Sequence, residues 1–217
     1  MKYKALLLDC DGLMFETETI WQHYFFEANK IFNLNFTEQD RINITGMNEE
    51  TIRQKLKNAN TNLDVDAYRE WQHKRVAEHI NTKGVETKPF LKELIQYAKA
   101  NNIKLAVVSG SKKEVVLKYL KFNSISEKDF DVFATGELVI KPKPNADIYL
   151  YACQKLNLNP NECVVLEDSH LGVEAGHNAG CFTIMVPDLM PVTEHMKNTA
   201  DLILNNLNDV ITFLNKN

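Results

Sequence analysis

Asp9 and Asp11 stand two positions apart at the end of a short apolar run, Ala5-Leu6-Leu7-Leu8, and Gly12 follows at once. One carboxylate of such a pair can attack an electrophilic centre while the other gives a proton to the leaving oxygen and then activates water. Alternation along a strand would turn side chains 9 and 11 the same way, but Gly12 marks the change to loop and lets Asp11 lean over the site. Three further places carry complementary groups: Ser109-Gly110-Ser111, Lys141-Pro142-Lys143-Pro144 and Glu167-Asp168-Ser169. Crowded carboxylates repel one another and are commonly held ionised by a bound cation. An all-oxygen set without Cys or His selects magnesium rather than zinc. An ammonium, the Ser109 hydroxyl and neighbouring backbone N–H groups such as that of Gly110 suit phosphate oxygens, and a helix opening near Lys112 would add its positive end. Phosphoryl transfer is the natural reaction class.

These groups need elements that bring them together. Residues 4–9, 103–109, 162–167 and 181–186 are nearly continuous apolar runs, as strands buried on both faces should be, and 131–134 reads as another short strand. Between them lie helical patterns at 88–101, 112–122, 144–156 and 170–179, with a last strand and helix near 202–214. Strand alternating with helix implies right-handed crossovers and an α/β fold with a doubly wound parallel sheet, in which ligands bind outside the carboxyl ends of the strands. The four chemical segments all fall at such ends. Residues 17–85 differ, reading as helices near 18–33, 37–44, 49–59 and 64–80 with no strand. The expected organisation is a core of residues 1–16 plus 86–217, with an all-α insertion at 17–85.

Composition narrows the function classes. The 217 residues are 44% hydrophobic and 25% charged, as in an ordinary globular chain. With 25 basic and 29 acidic residues the net charge is −4, and no long basic run offers a nucleic-acid footprint. Asp9 cuts the first apolar stretch short of a signal-peptide core, and no segment approaches the ~20 apolar residues of a membrane span. Four scattered cysteines, without a C-x-x-C pair, fit a reduced cytoplasmic protein. No long exposed apolar stripe is evident, which favours a monomer. The six histidines form no ligand set, although His170 follows Glu167-Asp168-Ser169 closely enough to face the site. Trp21, Phe25 and Phe26 read as core of the helical insertion, with one aromatic able to line a pocket, and Cys10 as a small apolar residue packed into the sheet.

Each chemical segment also has a plainer reading. Asp-x-Asp-Gly is common turn chemistry, Ser109 and Glu167-Asp168-Ser169 can cap helices, and Lys141 and Lys143 flank prolines where solvated lysines are the rule. What outweighs these readings is their coincidence at four separate strand ends. Taken in order, Asp9-Cys10-Asp11-Gly12, Ser109, Lys141-Pro-Lys-Pro144 and Glu167-Asp168-Ser169 with Gly172 resemble the motifs of the haloacid-dehalogenase-like superfamily over nearly the whole chain. The helical insertion resembles the cap of the branch holding β-phosphoglucomutase and phosphoglycolate phosphatase. The resemblance implies a Rossmann-like core with an inserted all-α cap domain. It implies Asp9 as nucleophile and Asp11 as general acid/base, Asp11 also lending its backbone carbonyl to Mg2+. Ser109 and Lys141 would hold the transferring phosphoryl group, and the choice of Lys141 over Lys143 rests on the resemblance alone. Asp168 would ligate magnesium directly, and Glu167 directly or through water.

The presence of Asp11 disfavours dehalogenation, because true dehalogenases of the family lack an acid at that place. Glu16 stands where the family commonly has an aspartate. In the mutases a cap histidine follows the first motif, and a cap arginine in a Gly-x-x-Arg turn grips the second phosphate of the sugar; the corresponding places here hold Trp21 and Glu49, the latter in Gly46-Met-Asn-Glu49. A glutamate there would repel that phosphate, although Arg41, Arg53, Lys74 or Arg75 could compensate. The expected function is a Mg-dependent phosphatase acting on a small phosphorylated metabolite through an aspartyl-phosphate on Asp9. The alternatives are a hexose-phosphate mutase and a non-catalytic phosphate-binding regulatory domain.

Overall fold

The computed structural model describes residues 2–216. Six strands, β1 (Ala5–Leu8), β2 (Lys104–Ser109), β3 (Val132–Thr135), β4 (Cys163–Glu167), β5 (Phe182–Met185) and β6 (Leu202–Ile203), form one sheet in the order β3-β2-β1-β4-β5-β6. Every pairing is parallel. β1 is flanked on both sides, Leu7 lying opposite Ala106 of β2 and Val165 of β4.

The continuous apolar runs follow from helices covering both faces of the sheet. Leu6, Leu8, Leu105, Val107, Val164 and Leu166 enter one core, and the alternating Ala5, Leu7, Ala106, Val108, Cys163 and Val165 enter the other. Against the first face pack α5 (Leu91–Ala100), α6 (Lys113–Phe122) and α10 (Leu207–Leu214). In α5 the buried residues Leu91, Leu94, Ile95 and Ala98 recur at the spacing of one helical face. The second face is covered by α7 (Asp147–Leu156) and α8 (His170–Asn178). This is the expected doubly wound α/β architecture.

Between β1 and β2 the chain forms α1 (Thr17–Ile31), α2 (Glu38–Ile42), α3 (Glu49–Ala59) and α4 (Val65–Lys83). Their starts are fixed locally: the Thr37 side chain accepts from Asp40 N, that of Asn48 from Thr51 N and that of Asp64 from Ala67 N. Phe25, Ala28, Ile44, Leu56, Leu63, Val65 and Tyr68, all from this stretch, make a core of their own. The two connections to the sheet run side by side, Glu16 N donating to Glu86 O at 2.9 Å and Lys88 N to Met14 O at 2.9 Å. Lys88 ties them to the loop after β5 through Glu16 at 2.8 Å and Asp188 at 2.6 Å. One further helix, α9 (Glu194–Thr199), was not anticipated: its six residues bury only Met196, too little to leave a periodic pattern.

Candidate active site

The chain leaves β1 to build β2 and β3 on one side, and returns to build β4 on the other. The crevice between β1 and β4 is therefore the switch point of the sheet, where ligands of such folds bind. Asp9 N donates to Leu166 O at 3.0 Å, which holds Asp9 at the rim of this crevice beside Glu167 and Asp168. Lys143 Nζ lies 2.5 Å from Asp9 Oδ1 and 2.5 Å from Glu167 Oε1. Glu167 is fully buried and fully engaged: Tyr149 Oη donates to Oε1 at 2.8 Å, while Ser169 N and Oγ donate to Oε2 at 3.1 and 3.0 Å.

Asp11 has a different set of partners. Its Oδ2 accepts from Ser111 Oγ at 3.0 Å and from Ser109 Oγ at 3.4 Å, and the Ser109 hydroxyl in turn accepts from Ser111 N at 3.0 Å. Two glycines make the close approach of the segments possible. Gly12 has φ +86°, and a Cβ there would overlap the Asp168 carboxylate; a Cβ on Gly172 would overlap that of Glu167.

Burial and crowding set the charge state. Withdrawal from water, then repulsion by Glu167, push the Asp9 carboxyl well above the ordinary range, with Lys143 acting against them. Asp168 is raised well above its usual value by burial and by Asp9 and Glu167. Asp11 is raised by burial, against the hydrogen bonds from the serines. Burial alone would lower Lys143, but Asp9 and Glu167 raise it well above the usual lysine value. Burial and nearby Asp11 push Glu18, on α1, up to about 7, with Arg41 opposing.

Asp9, Glu167 and Asp168 each bring an oxygen to within 4.8 Å of the others, and Asp168 Oδ1 is buried without a hydrogen-bond partner. Hard oxygen donors, surplus negative charge and an orphaned lone pair together fit a hard divalent cation.

The sequence reading placed Lys141 in this cluster, and the structure corrects it. Lys141 is exposed, whereas Lys143 reaches under the segment, its Nζ also lying 5.2 Å from the centre of the Tyr149 ring. The two lysines are equivalent as a sequence pattern, and what separates them is the slot made by Tyr149 of α7 and Glu167 of β4. Ser111 was singled out only as part of the Ser109-Gly110-Ser111 strand end, without a role of its own, and Tyr149 was missed, since nothing near it in sequence marks it. Gly110 lies with Asp9 and Asp11 in the wall of one cavity, while Ser109 is buried behind it. His170 turns away, its Nε2 lying 2.8 Å from the carbonyl of Pro191. Cys10 packs into the sheet core as expected.

The cavity, of about 760 Å³, is closed on its far side by the helical segment, which contributes Trp21, Phe25, Arg41, Glu49 and Arg69. Trp21 and Phe25 thus face the cavity, while Phe26 packs against the helices' own core. Glu49 is not the bare carboxylate its sequence position suggests. It accepts from Arg69 at 3.1 and 2.7 Å, and lies 2.9 Å from Arg53 and 3.0 Å from His73. Of the cations expected to compensate, Arg41 lines the cavity, but Arg53 joins Glu49 and Asp66, and Arg75 joins Glu78. Arg69, at the centre of this wall, was overlooked.

An open parallel sheet carrying acid, hydroxyl and ammonium groups at its switch point defines a class of α/β enzymes that handle anionic substrates at strand ends. Comparison with known proteins narrows the class. Residues 6–186 match the family model described as haloacid dehalogenase-like hydrolase. The chain is 30% identical over 180 residues to a phosphorylated carbohydrates phosphatase of Thermotoga maritima, covering 82% of each protein. It is also 30% identical over 196 residues to protein CbbY of Rhodobacter capsulatus, covering 86% of each. Among solved structures, a putative beta-phosphoglucomutase from Thermotoga maritima superposes with a TM-score of 0.77 at 24% identity, covering 98% of this chain and 99% of that one. The chain belongs to the haloacid dehalogenase-like hydrolase family.

Proposed function

We propose that the protein is a magnesium-dependent phosphatase that hydrolyses a small phosphomonoester through an aspartyl-phosphate on Asp9. The observation that carries the reading is the different surroundings of the two aspartates. Asp9 lies among carboxylates and touches the Lys143 ammonium, whereas Asp11, in the cavity wall, accepts from the hydroxyls of Ser111 and of Ser109 behind it. Such a separation suits a nucleophile beside a proton carrier. The relatives named as phosphatases support the same class of reaction.

In this mechanism the substrate's phosphoryl group enters between Asp9 and the Ser109-Gly110 turn, its oxygens meeting Lys143 and backbone N–H groups. An Asp9 oxygen forms a bond to phosphorus as the bond to the leaving oxygen breaks, and Asp11 gives that oxygen its proton. Asp11 then takes a proton from a water molecule, which displaces phosphate from Asp9 and restores the carboxylate. Magnesium held by Asp9, Asp168 and the Asp11 backbone carbonyl, with Glu167 reached directly or through water, would supply neutralisation of the phosphoryl oxygens. Residues 17–85 act as a cap domain that shields the site from water and contacts the leaving group.

The test is phosphate release from a panel of small phosphomonoesters, with magnesium and with chelator. Asp9→Asn should lower turnover by at least about a thousandfold while leaving the fold intact, because an amide of nearly the same shape is a poor nucleophile. Substantial activity in a well-folded Asp9→Asn protein would overturn the mechanism.

A further inference from the structure

We propose that the helical wall of the cavity selects phosphomonoesters whose leaving group carries no second negative charge, and that Glu49 sets this selectivity by occupying Arg69. The inference rests on the phosphatase reading and adds to it the chemistry of the leaving group.

Arg69 is the strongest anion receptor the cavity wall could offer, since a guanidinium fork matches a phosphate or a carboxylate. Here the fork is already filled. Nε and Nη2 donate to the two oxygens of Glu49 at 3.1 and 2.7 Å, Nη1 donates to Gln72 Oε1 at 2.7 Å, and the guanidinium carbon lies 5.4 Å from the centre of the Trp21 ring. The residue is 5% exposed, so it has little room to turn towards a ligand. Although partial burial would raise Glu49, hydrogen bonds from His73 and Arg69 hold its carboxyl far below the usual range, so the clamp stays ionised.

The second arginine of this wall is engaged in the same way. Arg41 Nε and Nη2 donate to Glu38 Oε1 at 3.0 and 2.7 Å, and Nη1 lies 3.9 Å from Glu18. A second phosphate or a carboxylate reaching the helices would meet the ionised Glu49 with both arginines already paired. The exposed ammonium groups in the cavity wall, Lys112 and Lys118, belong to the start and body of α6 on the sheet side. An uncharged hydroxylated leaving group, by contrast, meets no like charge there and finds the exposed Asn48 amide as a neutral partner in the cavity lining.

Matched substrates isolate this effect. Glycerol 3-phosphate and 3-phosphoglycerate differ by a hydroxymethyl against a carboxylate at the end remote from phosphorus, and glucitol 6-phosphate and 6-phosphogluconate form a second such pair. The wild-type kcat/KM should favour the uncharged member of each pair by about tenfold or more, the scale of one charge-assisted hydrogen bond. Glu49→Ala frees Arg69, and the preference should fall by about tenfold or reverse, chiefly through a lower KM for the carboxylated member. Glu49→Asp, which can keep the pair, should retain the wild-type order. A merely structural role for Glu49 would lower both members together and leave their ratio unmoved. If Glu49→Ala does not fold, Glu49→Gln carries the same comparison. A wild-type preference for the carboxylated members, or a ratio unmoved in a folded variant, would overturn the inference. p-Nitrophenyl phosphate keeps the two readings apart: failure to hydrolyse it or any panel member counts against the phosphatase, whereas hydrolysis with the opposite preference counts against this selectivity alone.

Discussion

Replacing Lys143 by Met tests the centre of the site, because it removes an ammonium while keeping a long unbranched side chain. The lysine side chain is 10% exposed and makes contacts of 2.5 Å with both Asp9 and Glu167, the latter wholly inaccessible. Breaking a buried pair by deleting one partner costs about 3–5 kcal/mol, since the other charge is left uncompensated. Here two carboxylates lose the same cation, with Asp168 already repelled by both. In chelator at pH 7, Lys143→Met should lose about 3–5 kcal/mol, which corresponds to a urea midpoint about 1–2 M lower at ordinary m-values. The loss should shrink as pH falls, because the carboxyls left behind can protonate, and magnesium should restore part of it. Phosphate release should fall at least about a hundredfold, the effect of removing one preorganised electrostatic contact. Exposed Lys141, replaced by Ala, should stay within about 0.5 kcal/mol of wild type and keep its turnover. A Lys143→Met protein as stable and active as wild type, beside a disabled Lys141→Ala protein, would refute the assignment.

Two more outcomes follow from buried groups near the site. Glu18 is held at about 7 in the fold against 4.5 for an ordinary glutamate, so the folded state binds the extra proton between these values. Its contribution is present below pH 4.5 and lost as pH rises through 7; in chelator Glu18→Gln should gain up to about 3 kcal/mol on wild type between pH 5 and 8, whereas a pH-independent difference in urea unfolding would count against the shift. Gly172→Ala should destabilise by about 1–3 kcal/mol in calorimetry despite the better helix propensity of Ala, because the new methyl would fall on a Glu167 carboxylate that Tyr149, Ser169 and Lys143 hold in place. An unchanged or raised melting temperature would show that Glu167 can move aside.

Much of the molecule is legible in the chain itself. Continuous apolar runs read as strands because both faces of the sheet are covered, and α5 and α6 show their buried faces at helical spacing because only one side of each helix packs on the sheet. The positions of Asp9, Asp11, Ser109, Glu167 and Asp168 were visible for the same reason: each stands where an apolar run stops, and strand ends are where a parallel sheet presents polar groups. Which lysine enters the site was not legible, since Lys141 and Lys143 share one local pattern and only the slot between Tyr149 and Glu167 distinguishes them. The helical wall was less legible still. Glu49 alone reads as a repelling charge, and its pairing with Arg69, twenty residues away on another helix, exists only once α3 and α4 pack side by side. Charges and hydrogen-bond donors act through space over a few ångströms, so their partners are chosen by packing, whereas the elements that carry them are written in short-range pattern, unbroken apolar runs for the strands and apolar residues at helical spacing for the helices.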